Sequence, residues 1–132
     1  MNLVEAEVVD RGSQPVLRVE GTNALVPAPV TASPNELRFG RRVLLGLRPE
    51  WIALPGGERL KEATSLDFSV QVIEPTGLDV FVALKAGLKE IMARLPAGSA
   101  VKPGETRRFD IDLSKAILFD AESGVALKHR ND

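Results

Sequence analysis

The chain repeats one pattern along its length, and this repeat constrains its fold more than any other feature. VVDRG at positions 8–12 and VIEPTG at positions 72–77 each place an apolar pair and an acid ahead of a glycine, with the two glycines 65 positions apart. Further along, RPEWIAL at positions 48–54 matches DLSKAILF at positions 112–119, so that Ile52 aligns with Ile117. Self-similarity at a fixed spacing predicts two copies of one structural unit.

Short strands separated by turn residues are predicted within each copy. Apolar residues alternate with others at positions 43–47, 80–84 and 109–113, and 11 glycines and 9 prolines are spread along the chain. A period of two is typical of half-buried strands. Gly12 and Gly77 are expected in hairpin turns that need a positive φ or a close backbone approach. The predicted fold class is all-β, with about five strands per copy forming a small barrel or two intertwined half-barrels.

The chain has the length of one domain with one core. We expect its halves at about 1–55 and 65–124, a linking turn around 55–57 and a polar tail at 125–132. Helical periodicity is scarce, so at most one short helix or helical turn is expected, in the segment 84–95.

Composition argues against several classes of function. The 17 Lys and Arg residues balance 18 Asp and Glu residues, so the chain lacks the positive field that holds nucleic acid. There is no cysteine, and the one histidine, His129, lies near the C-terminus, which excludes disulfides, cysteine-ligated zinc and a histidine-rich metal site. An acidic N-terminal segment and the lack of a long apolar run predict a soluble, cytoplasmic chain.

No catalytic, cofactor-binding or metal-binding residues are predicted. No glycine is followed by lysine, so the phosphate-binding loop of ATPases is missing from this sequence. Asp110 and Asp112 would share one face of a strand, where they could host an acid/base pair or a cation. The preferred interpretation is that they are the solvent-facing neighbours of buried residues on the same strand. We expect no enzymatic activity from this chain.

The segment GLRPEWI, positions 46–52, resembles the GIRPEHI signature of the C-terminal regulatory domain of sugar-importer ABC ATPase subunits, the maltose and glycerol-phosphate transporter type. VIEPTG at 72–77, LFDAESG at 118–124 and the opening MNL are similar to further segments of that family, in the same order. Three positions differ from the family pattern. Trp51 stands where histidine is usual, Leu113 where proline is frequent, and Ser123 where threonine is common. The resemblance covers essentially the whole chain.

The resemblance implies an OB-fold-like barrel of TOBE or MOP type. It also implies a regulatory and dimerisation domain of an importer for carbohydrates or related solutes, with the upstream ATPase domain absent. ATP and Mg²⁺ would then belong to that missing domain, and no cofactor to this chain. The implied partners are a second copy of the barrel, the permease subunits and a possible cytoplasmic regulator, on the cytoplasmic face of the inner membrane.

The residues that carry the resemblance are predicted to have structural or interface roles. Because Pro49 ends the ladder of a strand at 43–47 and a short strand follows at 52–54, the segment 48–51 is predicted to form a corner, with Trp51 covering the barrel end. The full set of predicted site residues is Arg48, Pro49, Glu50, Trp51, Glu74, Gly77, Phe119, Asp120 and Gly124.

Two other functions stay open at this point. Related MOP barrels bind molybdate between paired domains, and Thr76, Gly77 and Ser99 are the residues here that could contribute to an oxyanion site. An independent enzyme is a further alternative, for which no set of catalytic residues is found.

Overall fold

A computed structural model of the chain describes residues 1–29, 31–56, 63–87 and 89–129. Residues 57–62 and 130–132, which include part of the predicted linking turn and the end of the predicted tail, lie outside the described residues. The described residues form ten strands: β1 (Asn2–Arg11), β2 (Gln14–Val19), β3 (Leu25–Pro27), β4 (Arg42–Leu47), β5 (Ile52–Ala53), β6 (Ala63–Pro75), β7 (Asp79–Ala86), β8 (Lys89–Pro96), β9 (Thr106–Asp112) and β10 (Ile117–Asp120). The all-β prediction is confirmed.

The strands form two five-stranded sheets whose last strands are exchanged. The first sheet has the order β10-β4-β1-β2-β3 and the second has the order β5-β9-β6-β7-β8. Ile52 of β5 lies opposite Ile111 of β9, and Leu118 of β10 lies opposite Leu45 of β4. Each sheet is thus completed by the last strand of the other half. The halves cannot separate without breaking a strand pair in both sheets.

The core lies between the two sheets and is built from the alternating apolar residues. Val43, Leu45 and Leu47 of β4 all point inward and are buried. Phe68 of β6 and Phe109 of β9 meet edge to face, with 6.0 Å between their ring centroids. Such a ring pair contributes about 0.5–1.5 kcal/mol beyond the burial of its area. No polar or charged residue is buried in the described part of the chain.

The hairpin turns and the acidic strand positions agree with the sequence analysis. Gly12 has φ 64° and Gly77 has φ 96°, so both turns use the positive φ that was predicted. Asp110 and Asp112 are half-exposed on β9 beside its buried residues, as expected. The Ser65 hydroxyl donates to Asp110 Oδ1 at 2.6 Å, which gives this carboxylate a structural partner.

The placement of a short helix or helical turn in the segment 84–95 is wrong. This segment contains the end of β7, a turn at Gly87 with φ 60°, and β8. Ile91, Ala93 and Leu95 are buried with a period of two, so their spacing serves a strand. In the part of the chain that the structure describes, helical structure occurs instead as two 3₁₀ turns, at Pro34–Glu36 and Pro49–Trp51. Among the described residues, no helix has the length and apolar character needed to cross a bilayer.

Candidate functional site

The segment that carries the family signature forms the corner between β4 and β5. Arg48 has φ −78° and ψ 147°, the extended geometry that a following proline favours. A 3₁₀ turn follows, and the Trp51 amide donates to the Arg48 carbonyl oxygen at 3.0 Å. Trp51 is half-buried and packs against the core, and the turn contacts β8. Pro49 and Glu50 are half-buried in the same turn.

Arg48 also contacts Trp51 through its side chain. The guanidinium carbon lies 6.0 Å from the centroid of the Trp51 ring. At an exposed site such a cation–π contact contributes about 0.5–1 kcal/mol. The corner therefore packs on the core beside β8. Its roles as a cover of the barrel end and as an interface stay predictions.

The motif LFDAESG, positions 118–124, begins in β10 and continues into a loop that its own backbone closes. The Gly124 amide donates to the Asp120 carbonyl oxygen at 2.8 Å, and Gly124 has φ 74°. The Glu122 amide donates to Asp120 Oδ1 at 2.8 Å. This hydrogen bond is the largest of the contacts that lower the pKa of Asp120, and the Ser123 amide and Arg41 add to it. These contacts therefore favour the carboxylate form of Asp120.

Arg41 links this loop to the first half of the chain. Its guanidinium donates to Glu36 Oε2 at 2.8 Å and to the Glu36 carbonyl oxygen at 3.0 Å, and it reaches Asp120 Oδ2 at 3.5 Å. The hydrogen bond from Arg41 is the main cause that lowers the pKa of Glu36. We call Glu36, Arg41 and Asp120 the ionic clip. Arg41 and Glu36 were not among the predicted site residues. Arg41 has only the arginine pair after Gly40 as a signal in the sequence, and Glu36 has none.

Glu74 and Gly77 lie in the β6–β7 hairpin, so the predicted site residues occupy three separate parts of the fold. Glu74 is exposed on β6, and Gly77 is in the turn that follows. The other two parts are the corner at 48–51 and the loop at 119–124. The structure does not bring the nine residues into one site.

The outward side of the first sheet carries several apolar side chains on β1, β4 and β10. Leu3 of β1, Gly46 of β4 and Ile117 of β10 form one cross-strand row. Glu5, Leu44 and Phe119 form the neighbouring row on the same strands. Leu3 and Ile117 are 40% and 39% exposed, so they present apolar area to the solvent. We call Met1, Leu3, Leu44, Ile117 and Phe119 the apolar outer face.

Comparisons with known proteins place these observations in a family context. No protein-family model matches the chain. It is 36% identical over 99 residues to the sulfoquinovosyl glycerol transport ATP-binding protein of Agrobacterium fabrum. It is 32% identical over 132 residues to the sn-glycerol-3-phosphate import ATP-binding protein of Chromobacterium violaceum, an alignment that covers 98% of this chain. Its homologues are ATP-binding subunits of sugar and glycerol-3-phosphate ABC importers.

The family resemblance found in the sequence motifs is therefore confirmed. The multiple sugar-binding transport ATP-binding protein of Streptococcus mutans is a further homologue, 33% identical over 90 residues. This chain spans only 26% and 32% of the length of the first two importer subunits. It corresponds to about a third of such a subunit or less.

A solved structure confirms the barrel type. The cytoplasmic molybdate-binding protein ModG matches with a TM-score of 0.64 and 22% sequence identity, over 94% of this chain and 95% of ModG. A match at this sequence identity shows a shared fold and nothing further. The shared fold is the OB-fold-like MOP or TOBE type that the sequence motifs predicted.

The arrangement of charged and hydroxyl groups shows local structural roles. Within residues 1–29, 31–56, 63–87 and 89–129, no three His, Asp or Glu side chains are grouped so as to hold a metal ion. Thr76 bonds Asp79 within the hairpin turn, and the Ser99 hydroxyl donates to the Pro96 carbonyl oxygen at 2.7 Å. Both hydroxyls that were considered for an oxyanion site are thus hydrogen-bonded within their own turns.

Proposed function

We propose that the chain is the regulatory and dimerisation domain of the ATP-binding subunit of an ABC importer for carbohydrates or related solutes. The alignment with an importer subunit over 98% of this chain is the observation that carries the proposal. The chain itself lacks a phosphate-binding loop, so nucleotide binding and hydrolysis, with ATP and Mg²⁺, would belong to the rest of such a subunit. This domain would need no cofactor and catalyse no reaction.

The apolar outer face is the surface that best suits pairing with a second copy. The outward side of the second sheet is mixed: Ser65, Asp67 and Arg108 lie towards one end of β6, and Val72, Ala83 and Met92 form an apolar cross-strand row towards the other. An apolar patch at the centre of a polar surface is typical of interfaces. The exposed apolar area of Leu3 and Ile117 therefore supports a partner on the first sheet.

The charges beside the apolar outer face suit a two-fold contact. Arg42 lies 2.6 Å from Glu20 and 3.7 Å from Glu5, so both signs of charge border the face. A two-fold interface places the same patch against itself, and a patch with both charges can complement its own copy. A persistent contact of this kind would keep two ATPase domains at a high effective concentration after each hydrolysis cycle.

The remaining partners follow from the importer role. The ATPase part of the subunit would bind the permease subunits, which would hold the assembly on the cytoplasmic face of the inner membrane. A cytoplasmic regulator could act through this domain by binding the open and closed dimers with different affinities.

Sedimentation velocity over a concentration series tests the pairing role. The isolated chain is expected to shift from monomer to dimer as its concentration rises to about 100 µM, the range of weak transient interfaces. A chain that stays monomeric over this range would contradict the dimerisation role. An assay for ATP hydrolysis by the same sample should show no turnover, and robust turnover would contradict the proposal.

A small-oxyanion module is the second candidate, and the fold shared with ModG favours it. Calorimetry with molybdate, tungstate and sulfate separates the two functions. The importer proposal expects no binding heat for these anions. Tight binding that depends on Thr76 or Ser99 would reverse the order of the candidates.

A further inference from the structure

We propose that a groove between the β2–β3 turn and the outer side of β6 and β9 binds a small polyol that carries an anionic group. The groove has a volume of about 430 Å³. Pockets for small ligands occupy roughly 300–1,000 Å³, so a molecule the size of a glycerol or sugar phosphate fits. The site lies within one chain, at the end of β6 away from Thr76, and is independent of the pairing role proposed above.

One wall of the groove carries an ammonium group beside two hydroxyls. Lys85 of β7 lies opposite Ser69 of β6, and Ser69 lies opposite Thr106 of β9, so the three side chains form one cross-strand row. The hydroxyl oxygens of Ser69 and Thr106 are 3.2 Å apart. A cation next to hydroxyl donors is the combination that binds phosphate, sulfonate or carboxylate oxygens.

The charge on Lys85 is available for such an anion. Among the described residues, no carboxylate lies within ion-pairing distance of its ammonium group. Glu90 lies opposite Lys85 on β8 but does not line the groove. A bound anion would therefore gain a charge-assisted hydrogen bond without displacing an existing ion pair.

The next row of the same wall can bind hydroxyl groups of the ligand. Asp67 and Arg108 lie opposite each other, with 3.6 Å between the carboxylate and the guanidinium. Both side chains are more than 60% exposed, so their outer hydrogen-bonding positions remain open to the solvent. A carboxylate accepts and a guanidinium donates, which is the pair of functions that vicinal hydroxyls satisfy.

The opposite wall and the end of the groove are fixed by a close backbone contact. A Cβ atom at Gly87 would lie 3.0 Å from the carbonyl oxygens of both Glu20 and Gly21, so the β7–β8 turn meets the β2–β3 turn directly. Thr22, beyond this contact, lines the groove. Between the walls, Leu66 offers half-buried apolar area for the carbon chain of the ligand.

Nuclear magnetic resonance titration of the isotope-labelled chain tests this site with sn-glycerol 3-phosphate, glycerol and inorganic phosphate as probes. We expect sn-glycerol 3-phosphate to shift the amide signals of segments 65–69, 85–87 and 106–108. It should bind about tenfold more tightly than glycerol or inorganic phosphate, because it uses both rows. Equal binding of inorganic phosphate, shifts at Thr76 and Ser99 instead, or no shift at about 10 mM would overturn the proposal.

A matched pair of variants separates specific binding from general attraction of anions. K85Q should weaken the binding of sn-glycerol 3-phosphate by about tenfold, the effect of one charge-assisted hydrogen bond. K115Q removes the same charge from an exposed position outside the groove, and its affinity should match that of the parent chain. Equal affinities of K85Q and K115Q, with both spectra well dispersed, would contradict the site. Pairing is measured separately by sedimentation, so either proposal can fail alone.

Discussion

The Asn2 side chain hydrogen-bonds the Met92 backbone in the way that a neighbouring strand would. Its amide nitrogen donates to the Met92 carbonyl oxygen at 2.8 Å, and its amide oxygen accepts from the Met92 amide at 2.9 Å. β8 is the edge strand of the second sheet, and Asn2 begins β1 of the first sheet. One side chain thus satisfies both backbone groups of an edge residue and joins the two sheets across 90 positions of sequence.

Replacing Asn2 should destabilise the barrel more than its exposure suggests. N2A removes two hydrogen bonds and leaves the Met92 backbone groups partly shielded from water, so the free energy of unfolding should fall by about 1–3 kcal/mol. N2D keeps an acceptor for the Met92 amide but places a carboxylate against its carbonyl oxygen, and it should also destabilise. Urea denaturation measures both, with the exposed Asn23 changed to alanine as the control. Equal stabilities of N2A and N23A would show that the bridge contributes nothing.

Two glycines with positive φ should respond differently to alanine. A Cβ atom added at Gly77 would have no atom within 4 Å. G77A should therefore lower the free energy of unfolding only through backbone strain, by about 1–2 kcal/mol. G87A adds the 3.0 Å contacts with two backbone oxygens, which cannot move aside as a flexible side chain can. The free energy of unfolding should therefore fall more for G87A than for G77A. The reverse order would contradict the contact between the two turns.

The ionic clip should make stability depend on pH at the acidic end. The pKa values of Glu36 and Asp120 are lowered in the folded chain, by the Arg41 hydrogen bond and by the Glu122 amide respectively. Their contribution is present above the unfolded pKa values, near 4, and is lost as the pH falls through the lower folded values. R41Q should lower the melting temperature at neutral pH, and this difference from the parent chain should narrow towards pH 3 or so.

Thermal unfolding followed from neutral to acidic pH measures this effect. R18Q is the matched control, because Arg18 pairs with Glu7 at an exposed position where solvent screens the interaction. Its melting temperature should stay close to that of the parent chain at every pH. A difference for R41Q that stays constant down to the acid limit would contradict the role of the clip.

Local sequence pattern predicted the positions of four of the ten described strands, β4, β5, β7 and β9, and of one corner. The segments 43–47 and 52–54 were expected as strands around Pro49, and the structure has Arg42–Leu47 and Ile52–Ala53. A period of two and a proline are local signals, and they act on neighbouring residues alone. They could therefore be interpreted without knowing any partner strand.

Contacts between distant parts of the chain could not be predicted in this way. The repeat aligned Ile52 with Ile117, but Ile52 is buried and Ile117 is 39% exposed, because Leu118 is the inward residue of β10. A shift of one position moves a side chain to the other face of a strand, and only the partner strand decides the register. Arg41 and Asp120 are 79 positions apart, so no local sequence pattern could have predicted their contact.

Sedimentation equilibrium of a face variant tests the central claim, that two copies pair through the apolar outer face. Ile117 lies in that face, and I117E would bury an unpaired carboxylate at the contact. We predict that the parent chain dimerises and that I117E weakens the dimer by at least about tenfold. L78E is the control, since Leu78 is 86% exposed in the β6–β7 turn of the second sheet, and it should pair like the parent chain. A monomeric parent chain, or an I117E variant that pairs as tightly as the parent, would contradict the account.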